Sequence, residues 1–329
     1  MAELAPLLQG FFTNRLMRQR QASPNTVAGY RDTMKLLLGY LSRRTGRQPA
    51  RLTLADLDAP AISGFLQHLE ADRANTVTTR NTRLAAVHSF FRYAALNAPE
   101  HSELIARVLA IPPKRCDQAI VTYLTLPEID ALLAAPDQST WHGRRDHALL
   151  LIAAQTGLRV SELTGLTIAD IQLGHGPHVR CHGKGRKDRA TPLTPSAVKV
   201  LRAWLKERGG TASDPLFPTR QGSRLSRDAV ERLVAKHATT ATATCPTLTG
   251  KNVTPHTLRH TAAMSLLRAG VDVTVIALWL GHAGTQTTQI YLHADMTLKE
   301  RALARTAQPD GVPGRYRAPD SLLTFLSTL

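Results

Sequence analysis

The stretch His178–Pro192, HVRCHGKGRKDRATP, decides how the rest of the chain is read. His178–His182 and Arg189–Pro192 have the composition of two short strands, and Gly183, Lys184, Gly185 and Arg186 between them suit a tight turn. This is the one clear β signal in 329 residues. On its C-terminal side the spacing predicts helices over Thr194–Arg208, Ser226–Ala238, Thr254–Leu267 and Val273–Leu280. Between the second and third of these, Thr239–Thr249 (TTATATCPTLT) is low in complexity and is expected to form a flexible loop. On its N-terminal side a helix follows Thr125, with Pro127 and Glu128 in its first turn, and a long apolar helix spans Gly143–Thr156.

Farther out, IPPKRCDQAIVT at 111–122 holds two prolines that disfavour helix, and the domain boundary is placed there. The first hundred residues read as a helical bundle. Ser23-Pro24 is an N-cap followed by a first-turn proline, and Val27, Tyr30, Met34, Leu37, Leu38 and Leu41 recur behind it at helical spacing. Ile62, Phe65, Leu66 and Leu69 mark a second helix, and Leu84, Val87, Phe90, Phe91 and Ala94 a third. The expected fold class is mainly α with a small β-sheet: a helical N-terminal domain and a mixed α/β domain.

Charge narrows the partner. Lys and Arg number 41 against 25 Asp and Glu, a formal net charge of +16, and a polyanion such as nucleic acid is the natural match. Arg80 and Arg83, and Arg186 and Lys187 at the hairpin, are candidate phosphate contacts. Cys116, Cys181 and Cys245 are far apart and odd in number, which argues against a disulfide framework. The start, MAELAPLLQGFF, lacks a signal-peptide pattern, and no apolar run is long enough for a membrane helix. A cytoplasmic, DNA-associated location is expected.

Four stretches suit chemistry on a phosphate. Thr254 and Pro255 start a helix whose N-terminus places His256 and Arg259 on one face, where orphan N–H groups favour an anion. His256 and His260 also have the spacing of a metal half-site, but Thr257 stands where the zinc-protease pattern needs Glu, so no metal is expected. In QTGLRVSEL, Arg159 sits at a bend between helices with Glu162 three residues on, able to orient its donor fork. Lys184 lies at the hairpin tip. In LGHAGTQTTQIYLH, Leu280-Gly281-His282 ends a helix and Tyr291 follows nine residues later; its hydroxyl needs a base or an electropositive site to act as a nucleophile. Singly, each has an ordinary structural explanation.

Taken in order, TGLRVSEL, GKGRKDR, TPHTLRH and LGHAGTQTTQIY resemble the tyrosine recombinase (phage integrase) family, and most closely its Xer-like and transposon-encoded members. The resemblance implies a SAM-like helical core-binding domain over 1–111, a linker over 112–122, a catalytic domain over 123–305, and a tether and tail helix over 306–329 suited to docking in trans. It implies six catalytic residues, none of them substituted here: Arg159, Lys184, His256, Arg259, His282 and Tyr291. His260 also fits the family pattern, with no chemistry assigned. In such an enzyme Arg159 and Arg259 clamp the phosphate, His256 and His282 assist, and Lys184 protonates the departing 5′ oxygen. Tyr291 forms a 3′-phosphotyrosine that a second strand resolves, with no metal, ATP or other cofactor. The implied partners are double-stranded DNA sites and three further subunits, identical or related, for integration, excision, transposition or resolution. Three rivals stand beside it: a type IB topoisomerase, a non-enzymatic DNA-binding derivative of the fold, and a metal-dependent nuclease.

Overall fold

A computed structural model describes residues 4–116, 121–182, 188–281 and 288. The chain divides into two compact units, Met1–Gln118 and Ala119–Leu329.

The first unit is helical. α1 (Leu4–Gly10) runs on as a wider π-helical stretch over Phe11–Gln19, then come α2 (Pro24–Thr45), α3 (Ala59–Ala71), α4 (Val77–Asn97) and α5 (Ser102–Leu109). Ser23 Oγ accepts from the Thr26 amide, and Gly46 closes α2 in the left-handed region at φ 68°. Phe11, Phe65, Phe90 and Phe91 are fully buried, and the Phe11 ring packs on Tyr30, Phe90 and Tyr93. The stripes expected on α3 and α4 line this core.

Arg80 faces the chain, not solvent. It is 7 % exposed and donates through Nη1 to Asn81 Oδ1 and to the Pro112 carbonyl, while Asn81 Nδ2 donates to the Lys114 carbonyl. Together they tie the segment after α5 to α4. Arg83 is half-buried on the same helix and lines a cavity with Asn25, Thr26, Thr79 and Thr82.

The second unit begins with α6 (Leu126–Ala134), α7 (Trp141–Thr156) and α8 (Val160–Gly165). The three-stranded antiparallel sheet follows, β1 (Ile171–Gln172), β2 (His178–His182) and β3 (Asp188–Pro192), in that order. β1 was not legible beforehand: two residues are too few to show alternation. Register pairs Val179 with Thr191 and Cys181 with Arg189; Val179, Cys181 and Thr191 are buried, while Arg180 and Ala190 are exposed. α9 (Pro195–Arg208), α10 (Arg227–Ala241), α11 (Pro255–Arg268) and α12 (Val273–Leu280) complete the described chain. α7 is the spine of the core: Ala148, Leu149, Leu150 and Ile152 are all at most 1 % exposed.

The expectation of a loop without regular structure over 239–249 is corrected at 239–241 and 246–248. α10 continues to Ala241, and a 3-10 turn follows at Pro246–Leu248. Ala241 and Leu248 are buried, and the Thr239 and Thr240 hydroxyls donate to carbonyls one turn back. Threonine-rich composition misleads here because the Thr239, Thr240, Thr242 and Thr244 hydroxyls donate to carbonyls three or four residues back, in the last turn of the helix. Among the described residues, no helix is long and apolar enough to cross a membrane.

Candidate active site

The site grows from the end of α7. Gly157 terminates that helix in the left-handed region at φ 62°, and a Cβ there would sit 2.6 Å from Leu280 Cδ2 and 3.2 Å from Ala262 Cβ. Only glycine lets the turn pass between α11 and α12. Its carbonyl, left over at the helix end, accepts from Arg259 Nη1 at 2.6 Å.

Arg159 occupies the N-cap of α8. Its backbone amide donates to Glu162 Oε2 at 2.8 Å and its Nη1 to Glu162 Oε1 at 2.9 Å, so one carboxylate caps the helix and orients the guanidinium. Arg159 Nη2 donates to the Gly281 carbonyl at 3.0 Å, while Arg259 Nη2 donates to the neighbouring Leu280 carbonyl at 2.7 Å. Two arginines 100 positions apart are thereby fastened to consecutive carbonyls at the end of α12. Their surroundings differ: Arg259 is 3 % exposed, whereas the Arg159 side chain is 32 % exposed and open to a ligand.

His256 stands on the first turn of α11, behind the Thr254 cap and Pro255. It reaches solvent, yet partial burial of the ring, and then the charges of Arg259 and Arg159, hold its pKa below the ordinary imidazole value. It is therefore predominantly neutral at neutral pH and able to accept a proton. The His256 and His260 rings meet edge to face with centroids 4.2 Å apart. Among the described residues, no three His, Cys, Asp or Glu side chains gather as a metal site requires.

Glu162 is 4 % exposed at its side chain. Burial would raise its pKa, but hydrogen bonds from Arg189 and from the Arg159 amide, the charge of Arg189 and the hydrogen bond from the Arg159 side chain hold it below the usual carboxylate range. Arg189, on β3, donates from Nη1 to Oε1 at 3.0 Å and from Nη2 to Oε2 at 2.7 Å. In the sequence Arg189 is legible only as the first residue of the second strand. The available signal was Glu162 itself, since a buried carboxylate has more lone pairs than one arginine fills. Cys181 lies nearby, and burial pushes its thiol up to about 11, so it stays protonated and unreactive.

Lys184, Arg186, Lys187, His282 and Tyr291 lie outside the described residues, as does the tail over 306–329. Of the six expected catalytic positions, the structure describes Arg159, His256 and Arg259, and brings them together. A concavity of about 700 Å³ between Leu173, Leu193 and α9 shares no residue with this cluster.

Comparison with known proteins agrees along the whole chain. Residues 122–297 match the profile of the phage integrase family, and residues 10–97 that of the phage integrase N-terminal SAM-like domain. The integrase/recombinase y4rC of Sinorhizobium fredii is 55 % identical over 328 residues, spanning 100 % of this chain and 99 % of that protein. The tyrosine recombinase XerC of Pelobacter propionicus is 34 % identical, spanning 93 % of this chain and 100 % of its own. Among solved structures, the XerH site-specific recombinase bound to a palindromic difH substrate, in a post-cleavage complex, matches with a TM-score of 0.68 at 25 % identity, covering 87 % of this chain and 81 % of that one.

Proposed function

Because the chain belongs to the phage integrase family, it is a site-specific DNA recombinase working through a tyrosine intermediate, and we propose that six of its residues form the reaction centre. Arg159 and Arg259 hold the non-bridging oxygens of the scissile phosphate, where negative charge grows in the transition state. His256, neutral and beside both, takes the proton of the Tyr291 hydroxyl or binds the phosphate. Tyr291 attacks phosphorus and leaves a 3′-phosphotyrosine, while Lys184 protonates the departing 5′ oxygen and His282 adds a hydrogen bond. A 5′-hydroxyl from a second strand then attacks the phosphotyrosine, so one phosphodiester replaces another without ATP or metal.

One observation carries the assignment: the fastening of Arg159 and Arg259 to the adjacent carbonyls of Gly281 and Leu280, immediately before His282 in sequence. That arrangement presents two guanidiniums beside an imidazole, the donor set a phosphodiester needs. In the same reading, residues 1–111 grip the duplex, 123–305 perform the chemistry, and 306–329 dock on a neighbour within a tetramer in the cytoplasm. Arg83, Arg186 and Lys187 contribute phosphate contacts, and the affinity falls with salt.

The test begins with a nicked suicide duplex enriched from a randomised library by covalent capture on the wild-type chain. Wild type becomes attached to DNA, and Tyr291→Phe binds the same duplex without attachment. An adduct of equal yield with Tyr291→Phe sinks the nucleophile assignment.

A further inference from the structure

Glu162 is shared between two arginines. Each of its oxygens takes two donors: Oε1 from Arg159 Nη1 and Arg189 Nη1, Oε2 from the Arg159 amide and Arg189 Nη2. A carboxylate this buried, facing Arg159 alone, would cancel the charge of Arg159 at short range and leave a neutral pair where a phosphate is to bind. With Arg189 present, two arginines and one glutamate sum to +1, and Arg259 adds another unit.

Arg189 serves the carboxylate, where Arg259 serves backbone carbonyls. Its side chain is 10 % exposed, both terminal nitrogens are committed to Glu162, and its Nε is buried without a partner among the described residues. Its other neighbour is the turn at Gly281, which has φ 63°; a Cβ there would lie 2.6 Å from Arg189 Nη1. The guanidinium thus abuts the turn whose carbonyl anchors Arg159. In sequence, Arg189 comes five residues after Lys184, and Gly281 directly precedes His282.

We propose that Arg189 is a positioning residue for strand cleavage: by neutralising Glu162 it leaves the charge of Arg159 to the scissile phosphate, and by abutting Gly281 it fixes the turn that anchors Arg159. This rests on Arg159 being a phosphate ligand. A salt bridge that merely stabilised the fold would require Glu162 as much as Arg189. The charge argument requires the opposite, since Glu162 without Arg189 is worse than neither.

The experiment measures single-turnover cleavage and separate duplex binding on the enriched nicked duplex, with thermal melting of each variant. Arg189→Met binds DNA nearly as wild type but cleaves about tenfold to a hundredfold more slowly, the size of loss when a partner that orients a primary ligand is removed. Adding Glu162→Gln to Arg189→Met removes the uncompensated charge and recovers about tenfold of that rate. Arg189→Lys keeps the charge and loses less than Arg189→Met. Should Arg189→Met fail to fold, the Lys variant and the double variant carry the comparison against wild type. A double variant no faster than Arg189→Met, or, where that chain is unfolded, no faster than a hundredth of the wild-type rate, overturns the proposal. So does Arg189→Met cleaving at the wild-type rate. If wild type captures no duplex at all, the reading of Arg159 falls first and this inference with it, an outcome distinct from both.

Discussion

In one buried cluster of the catalytic unit Asp146 receives Arg145 and His237; in another Glu162 receives Arg159 and Arg189. Both centre on a carboxylate pulled below its usual pKa range against the cost of burial. The first is sealed. Arg145, Asp146 and His237 are 7 %, 5 % and 4 % exposed, and the remaining terminal nitrogen of Arg145 donates to the Pro218 carbonyl. The charges of Arg145 and Asp146 cancel. The second holds three arginines against one glutamate, and Arg159 opens to solvent. The same side-chain chemistry makes a strut when balanced and enclosed, and leaves positive charge open to solvent when in surplus and uncovered.

The contrast breaks first at the sealed cluster. Asp146→Ala leaves Arg145 buried without its counter-charge and should cost about 3–5 kcal/mol of unfolding free energy, read by urea titration. The molecules that remain folded should cleave the nicked duplex at the wild-type rate. A cost below about 1 kcal/mol would rank the cluster with surface ion pairs and void the comparison.

At the open cluster the expected loss is in rate. Arg159→Lys keeps the charge but not the planar fork, and single-turnover cleavage should fall about 10²–10³-fold, equivalent to about 2.7–4 kcal/mol, with melting little changed. A variant that melts early yet cleaves normally when folded would make Arg159 a strut like Arg145.

A third carboxylate sharpens the distinction. Glu128 is 1 % exposed; burial opposes its charge, but Lys251 Nζ at 2.7 and 2.8 Å and the Thr125 amide lower its pKa from 4.5 to about 2. Because the folded value lies below the unfolded one, this stabilisation is complete above about pH 4.5 and disappears as pH falls toward 2. Its size is about 2–3 kcal/mol. Urea midpoints measured from pH 6 to 2 should show that slope, and Lys251→Met should flatten it. An unchanged slope would assign the acid sensitivity to other carboxylates.

Much of the fold was legible because its signals are local. Ser23-Pro24, Thr125 with Glu128, and Thr254-Pro255 each cap a helix within one turn, and the structure starts α2, α6 and α11 there. The hairpin was legible from strand composition on either side of glycines. Thr239–Thr249 misled because composition reports average flexibility, while two buried side chains, Ala241 and Leu248, decide order. At the site, Arg159 with Glu162 could be paired from spacing. Arg189, 27 positions from Glu162, could not, because nothing local links β3 to α8.

The sequence by itself determined where the capped helices begin, that the chain is strongly basic, and which residue types are available for phosphate chemistry. Capping, periodicity and net charge act over a few residues or over none, so they survive in a one-dimensional string. Tertiary structure alone decided that Arg259 is buried, that it and Arg159 hang from adjacent carbonyls, and that Arg189 offsets Glu162. Those outcomes depend on distances between segments far apart in the chain, and the sign and exposure of the charge left over at Arg159 follow from them.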